Sequence, residues 1–161
     1  VMLDLCSNVE CDANNLVLFA VLGEVYAGIE LGLTQPSIGI LNVGVEGLKG
    51  NDSVKKAANI LKNSNLPIEF FGFVEGDDIG KGTVDVIVTD GFTGNIVLKL
   101  TEGIISHLME WIQSIYHTHA GNINQSTEFL SILKEIQNSL DHEEYGATPL
   151  LGINGIVMKC H

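Results

Sequence analysis

Apolar residues fall into two kinds of run along this chain. Continuous apolar runs at 1–5, 37–43, 68–74 and 84–89 read as short strands, and their lack of inward–outward alternation marks strands covered on both faces. Between them the apolar positions recur at helical spacing. Asp12 is placed to cap a helix over 13–31 that is apolar nearly all round, so burial on more than one side is expected. Asn51 or Asp52 caps a shorter helix to residue 62, with Val54, Ala57, Ala58 and Leu61 in helical register. A long helix over 95–117 carries Ile104, Leu108, Trp111, Ile112 and Ile115 on one face, and a further helix is expected over 127–140 after a polar stretch at 119–126. Loops are expected around Asp77, Asp78, Gly80 and Gly82 and again at 91–95, and the glycine-punctuated tail closes in a strand-like 155–159.

Alternation of such strands with helices predicts an α/β domain built on a mostly parallel sheet. The 161 residues suffice for one domain with a sizeable core. No apolar run is long enough to span a bilayer. Twenty acidic residues face eight lysines, with no arginine, for a net charge of −12, which excludes the basic footprint of a nucleic-acid binder. It also removes every guanidinium fork, so an anion must be held by lysine and backbone N–H groups. Cys6, Cys11 and Cys160 have no zinc-like spacing and read as free thiols of a reducing cytosol. Both ends of the chain fall in apolar runs, unlike a natural terminus, a signal peptide or a tail.

Ligands of parallel sheets bind at the carboxyl ends of the strands, and two glycine-rich loops lie there. The first runs Leu41-Asn42-Val43-Gly44-Val45-Glu46-Gly47-Leu48-Lys49-Gly50-Asn51-Asp52, from a strand into a helix. Its glycines permit close backbone approach, the helix start offers unpaired N–H donors, and Lys49 supplies positive charge, which together suit a phosphate. It matches neither a Walker A loop nor a dinucleotide fingerprint. The second runs Thr89-Asp90-Gly91-Phe92-Thr93-Gly94-Asn95, with Asp90 at a strand tip. Each loop has an ordinary alternative: a solvated lysine in the first, and helix capping by Asp90 and Thr93 in the second. Asp4 and Asn8, at the end of the first strand, could line the same cleft. The acids Glu75, Asp77 and Asp78 read as a solvated loop, and no metal ligand set is assigned.

The runs GILNVGVEGLKGN at 39–51 and VDVIVTDGFTGNIVLKLTEG at 84–103 resemble the phosphate acyltransferases of phospholipid synthesis, the PlsX family. The opening VMLDLCSNVECDANNLVLFAVLGEVYA and the tail EYGATPLLGINGIVMKCH look like that family too, so the resemblance spans the whole chain. It implies a Rossmann-like three-layer α/β sandwich similar to isocitrate and isopropylmalate dehydrogenases, with a protruding helical hairpin over about 95–140. It implies conversion of an acylated acyl carrier protein and inorganic phosphate into acyl phosphate and free carrier protein, by a cytoplasmic homodimer with weak peripheral membrane contact and no cofactor. On the matching positions Lys49, Asn95 and Asp90 are the expected catalytic residues, and Asn42, Gly44, Gly50, Asn51, Gly94, Lys99 and Asn8 the expected substrate-binding ones. Phosphate is already a nucleophile near neutral pH, so the site has to hold it beside the thioester and stabilise the oxyanion.

Three departures qualify that expectation. Cys6-Ser7-Asn8 stands where the family usually has Gly-Ala-Asn, so a differently bent loop is expected. The hairpin tip His119–Gln125 is polar and carries no Lys or Arg, which argues against membrane binding through it. Family members are considerably longer and carry DAMGGD-like and SAGNTGA-like motifs that this chain lacks, so it reads as a C-terminal portion of a single α/β enzyme holding part of the cleft. Two other functions remain open: a phosphotransacetylase-like acyltransferase acting on coenzyme A thioesters, and an inactive fragment that dimerises through its helices.

Overall fold

The computed structural model describes residues 1–119, 131–132, 134–136 and 147–160. They form two compact units, Val1–Leu98 and Lys99–His161. The first unit runs β1 (Met2–Leu3), α1 (Ala13–Glu30), β2 (Ser37–Leu41), α2 (Asp52–Asn63), β3 (Glu69–Val74), α3 (Gly76–Lys81), β4 (Val86–Val88) and the opening turns of α4 (Gly91–His119). The four strands make one sheet in the order β1-β4-β2-β3, with every neighbouring pair parallel. The predicted α/β class and parallel sheet are therefore found, with strands shorter than their apolar runs.

The connections explain how the helices are distributed. Passages from β1 to β2 and from β2 to β3 move the same way across the sheet, and β3 to β4 moves back. Right-handed crossovers then require α1 and α2 on one face and α3 on the other. The core divides in that way. Leu16, Phe19, Ala20 and Ala27 of α1 and Ala57, Ala58 and Leu61 of α2 pack with Ile38, Ile40, Val86 and Val88. Ile79 of α3 packs instead with Val74, Val84 and Ile87. Gly23 lets α1 approach the sheet closely, because a Cβ there would meet Val86 Cγ1 at 2.5 Å and Leu3 Cδ1 at 3.0 Å.

The apolar circumference of α1 is only partly covered. Its buried stripe is Leu16, Phe19, Ala20, Gly23 and Ala27, whereas Leu18, Val25 and Ile29 are exposed. The polar stretch after β3, read as a loop, contains α3. Asp78 accepts from the Glu75 N–H at 2.9 Å and from Thr83 Oγ1 at 2.9 Å, and Gly82 closes the turn at φ 65°. Six residues are too few for a hydrophobic stripe, so periodicity gave no helical signal there.

In the second unit α4 continues to His119 and presents Leu100, Ile104, Leu108, Trp111 and Ile115 to solvent. The tail forms an antiparallel pair, β5 (Ala147–Pro149) with β6 (Met158–Cys160), where one strand over 155–159 was expected. The hairpin tip and most of the helix expected over 127–140 lie outside the described residues. Among the described residues no helix is long and apolar enough to cross a membrane.

Candidate active site

The carboxyl ends of the parallel strands share one edge, so the segments after β1, β2 and β4 emerge together there. After β1, the chain folds around a buried carboxylate. Asp4 is 8% exposed and accepts the backbone N–H groups of Cys6 at 2.9 Å, Ser7 at 3.0 Å and Asn8 at 2.6 Å, and the Asn8 amide at 2.9 Å. Burial alone would raise its affinity for a proton, but these four donors outweigh burial and hold the carboxyl below the ordinary carboxylate value. Asn8 was expected to bind substrate; here its side chain is bonded to Asp4 and its carbonyl accepts the Gly91 N–H at 2.7 Å. No residue other than glycine takes a positive φ among the described residues, so the loop needs no glycine at Cys6.

The lowered pKa of Asp4 has a stability consequence with a definite sign. A carboxyl depressed in the folded state contributes stability that is full above the unfolded value near 3.9 and is lost as pH falls through the folded value. Acid unfolding followed by circular dichroism should therefore steepen below about pH 4 in the native chain. Asp4→Asn should lose stability by about 1–3 kcal/mol at neutral pH and show a flatter acid limb. An unchanged acid limb would remove Asp4 from this role.

After β2, Asn42 organises the glycine-rich loop. Its Nδ2 donates to the Gly44 carbonyl at 2.9 Å and to the Lys49 carbonyl at 3.2 Å, closing residues 44–49 into a ring. Gly50 turns away at φ 91°, and a Cβ there would overlap Asn42 Oδ1. Asn51 caps α2, its Oδ1 accepting the Val54 N–H at 2.8 Å, while Asp52 pairs with Lys55 at 3.1 Å. Lys49 lies across Gly44: a Cβ on Gly44 would sit 3.0 Å from Lys49 Nζ and 2.8 Å from Glu46 Oε2. The Glu46 carboxylate receives the Lys49 ammonium at 2.9 Å and holds it above the ordinary lysine value, with Glu75 adding in the same direction from the end of β3.

After β4, Asp90 caps α4. Its carboxylate accepts the Thr93 N–H at 2.8 Å and Thr93 Oγ1 at 2.9 Å, and its carbonyl accepts the Gly94 N–H at 2.9 Å. The predicted turn at 91–95 is therefore the first turn of the helix. Its glycines serve close approach rather than a turn. A Cβ on Gly91 would meet the Asn8 carbonyl oxygen at 2.7 Å, and one on Gly94 would overlap the Asp4 carbonyl. Asn95 follows, half-buried, and no side-chain hydrogen bond to it is found among the described residues.

The expected site residues thus separate by what engages them. Asn8, Asn42, Asn51 and Asp90 bind the fold's own backbone or Asp4. Gly44, Gly50 and Gly94 admit neighbouring atoms. Lys49 is held by one carboxylate at the surface, and Asn95 is left over. Lys99 belongs to the second unit and pairs with Glu102 at 2.8 Å. Glu46 was missed as a partner, although its spacing three residues before Lys49 was a readable signal. Among the described residues no group of His, Cys, Asp and Glu could hold a metal ion.

A parallel α/β domain with two glycine-bearing segments at its carboxyl edge belongs to a broad class of domains that bind ligands at that edge. Comparison narrows it. A family model described as "Fatty acid synthesis protein" matches residues 1–161. A phosphate acyltransferase of Paramagnetospirillum magneticum is 51% identical over 99% of this chain and 46% of its own length. One from Rhodospirillum rubrum is 45% identical over 100% of this chain and 46% of its own. A third, from Acidiphilium cryptum, is 46% identical over 100% and 42%. The chain belongs to the fatty acid synthesis protein family, and it spans about half the length of these relatives.

Proposed function

We propose that this chain is part of a phosphate acyltransferase that makes acyl phosphate from an acylated carrier protein and inorganic phosphate, in phospholipid synthesis. The observation that carries the reading is the division of labour at the carboxyl edge. Among the residues expected to act, the fold bonds Asp90 and most amides to its own backbone or to Asp4, holds Lys49 by one exposed carboxylate only, and leaves the Asn95 amide without a side-chain hydrogen bond among the described residues. The relatives named phosphate acyltransferase support it.

In this reading the Lys49 ammonium holds a phosphate dianion against the ring of residues 44–50. A phosphate oxygen attacks the thioester carbonyl carbon, the carbonyl oxygen gains the negative charge, and the Asn95 amide donates to it. The carbonyl re-forms as the C–S bond breaks, the sulfur leaves as a thiolate that receives, through water, the proton the phosphate dianion carried, and the acyl group remains on phosphate. Asp90 positions Asn95 by fixing the first turn of α4. Asn42, Gly44, Gly50, Asn51 and Gly94 shape the phosphate's surroundings. The proposed fold class is that of isocitrate and isopropylmalate dehydrogenases. The exposed apolar stripe of α4 supports a homodimer.

A direct assay tests the substrates. Full-length enzyme given phosphate and either an acylated carrier protein or an acyl-coenzyme A should release thiol, and acyl phosphate trappable by hydroxylamine, faster from the carrier protein. Preference for coenzyme A would favour the phosphotransacetylase-like alternative. Absence of phosphate-dependent release from both would overturn the reading.

A further inference from the structure

We infer that Glu46 is a built-in competitor for phosphate: its carboxylate occupies the place on Lys49 that the substrate anion takes, so that phosphate binding exchanges one anion for another. This rests on the reading of Lys49 as the phosphate ligand.

The geometry has three parts. Glu46 Oε2 lies 2.9 Å from Lys49 Nζ, and both side chains are more than half exposed, so an incoming anion has access to the pair. The Lys49 N–H donates to the Glu46 carbonyl at 3.0 Å, which fixes the two residues in one turn. The Asn42 amide bonds the carbonyls of Gly44 and Lys49, so the turn that carries the pair is tied to the residue that follows β2. The lysine aliphatic chain crosses Gly44, where a side chain would collide with it.

Charge determines what this arrangement does. An exposed ion pair is weak, so it can be displaced at modest cost. Phosphate near neutral pH carries more charge than one carboxylate and offers more acceptor oxygens, so it wins the exchange at sufficient concentration. Before it binds, Glu46 occupies the ammonium. Glu46 thus sets the phosphate concentration at which the site fills.

The test is a set of steady-state measurements on full-length enzyme at varied phosphate. Glu46→Gln, and Glu46→Ala in parallel, should lower the KM for phosphate by about two- to fivefold, the scale of one exposed pair. The kcat and the KM for the acyl donor should stay within error. Glu69→Gln removes the same charge at the far end of β3 and should leave the phosphate KM unchanged. An unchanged or raised phosphate KM in both Glu46 variants overturns the inference, as does an equal drop in Glu69→Gln. Lys49→Ala separates the two levels: if its phosphate KM is near native, the underlying reading fails; if it rises while the Glu46 variants do not improve, only the competitor role fails.

Discussion

Lys49→Ala is expected to lower kcat/KM for phosphate by about 10²–10³ in full-length enzyme, the scale of losing one electrostatic stabiliser from a prepared site. The chain has eight lysines and no arginine, and Lys49 is the cation in the loop between β2 and α2, so nothing else in that loop can replace its charge. Backbone donors at the start of α2 do not compensate. Asn51 already caps the Val54 N–H, and Asp52 places a negative charge in the first turn. Stability should barely change, because Lys49 is exposed and paired with a single surface carboxylate. The informative pattern is therefore a large kinetic loss with an unchanged thermal midpoint. Initial rates across a phosphate series, with a melting curve on the same sample, give both numbers. A variant within a few fold of native would remove Lys49 from the site.

Gly94→Ala should have the opposite signature, with the loss in folding. A Cβ at this position would fall on the backbone carbonyl of Asp4 and within 3.1 Å of Leu5 Cα, and backbone cannot swing aside as a side-chain end can. The start of α4 must then retreat from the segment after β1, breaking the contact that also seats Gly91 on Asn8. Overpacking against backbone costs about 3 kcal/mol, a large share of the ~5–15 kcal/mol that holds a domain together. Urea unfolding should show a midpoint lower by about 1–2 M. Gly103→Ala is the control, since it lies in the same helix with nothing within 4 Å of its added Cβ, and it should be neutral or stabilising by up to about 1 kcal/mol. Equal behaviour of the two variants would refute the close-approach explanation.

These two positions show what the sequence exposed and what it concealed. The strands were legible because continuous apolar runs bounded by polar or turn residues have few other uses, and α1, α2 and α4 because their apolar spacing extends over several turns. Asp12 and Asn51 were legible as caps because capping is a local act, read within three residues. Close approach is not local. Gly91 and Gly94 looked like a turn, and only the meeting of α4 with a segment some eighty residues earlier shows that they are flat contact points inside a helix. Asp4 was visible as a polar residue at a strand end, but its capture of three successive N–H groups depends on a backbone path that composition does not encode. At the candidate site, the resemblance pointed to Asp90 as catalytic and to Asn8, Asn42 and Asn51 as substrate-binding, and amides and carboxylates bind phosphates and capping donors alike, so residue type alone does not tell the two uses apart. What the structure adds is which of their atoms the fold engages: those of Asn8, Asn42, Asn51 and Asp90 are bonded within the fold, whereas Lys49 meets one surface carboxylate.

The segment after β1 has a consequence for how such sequences drift. Asp4 holds the loop through the main-chain N–H groups of residues 6 and 7, donors that any residue except proline supplies, so these bonds set no requirement on the side chains there. Tolerance should therefore be uneven over a few residues: wide at 6 and 7, narrow at Asp4, and narrow again at the distant glycines on α4 that the loop rests against. A family signature written as consecutive letters at this loop would reject members that fold the same way. One written as a carboxylate and two remote glycines would keep them.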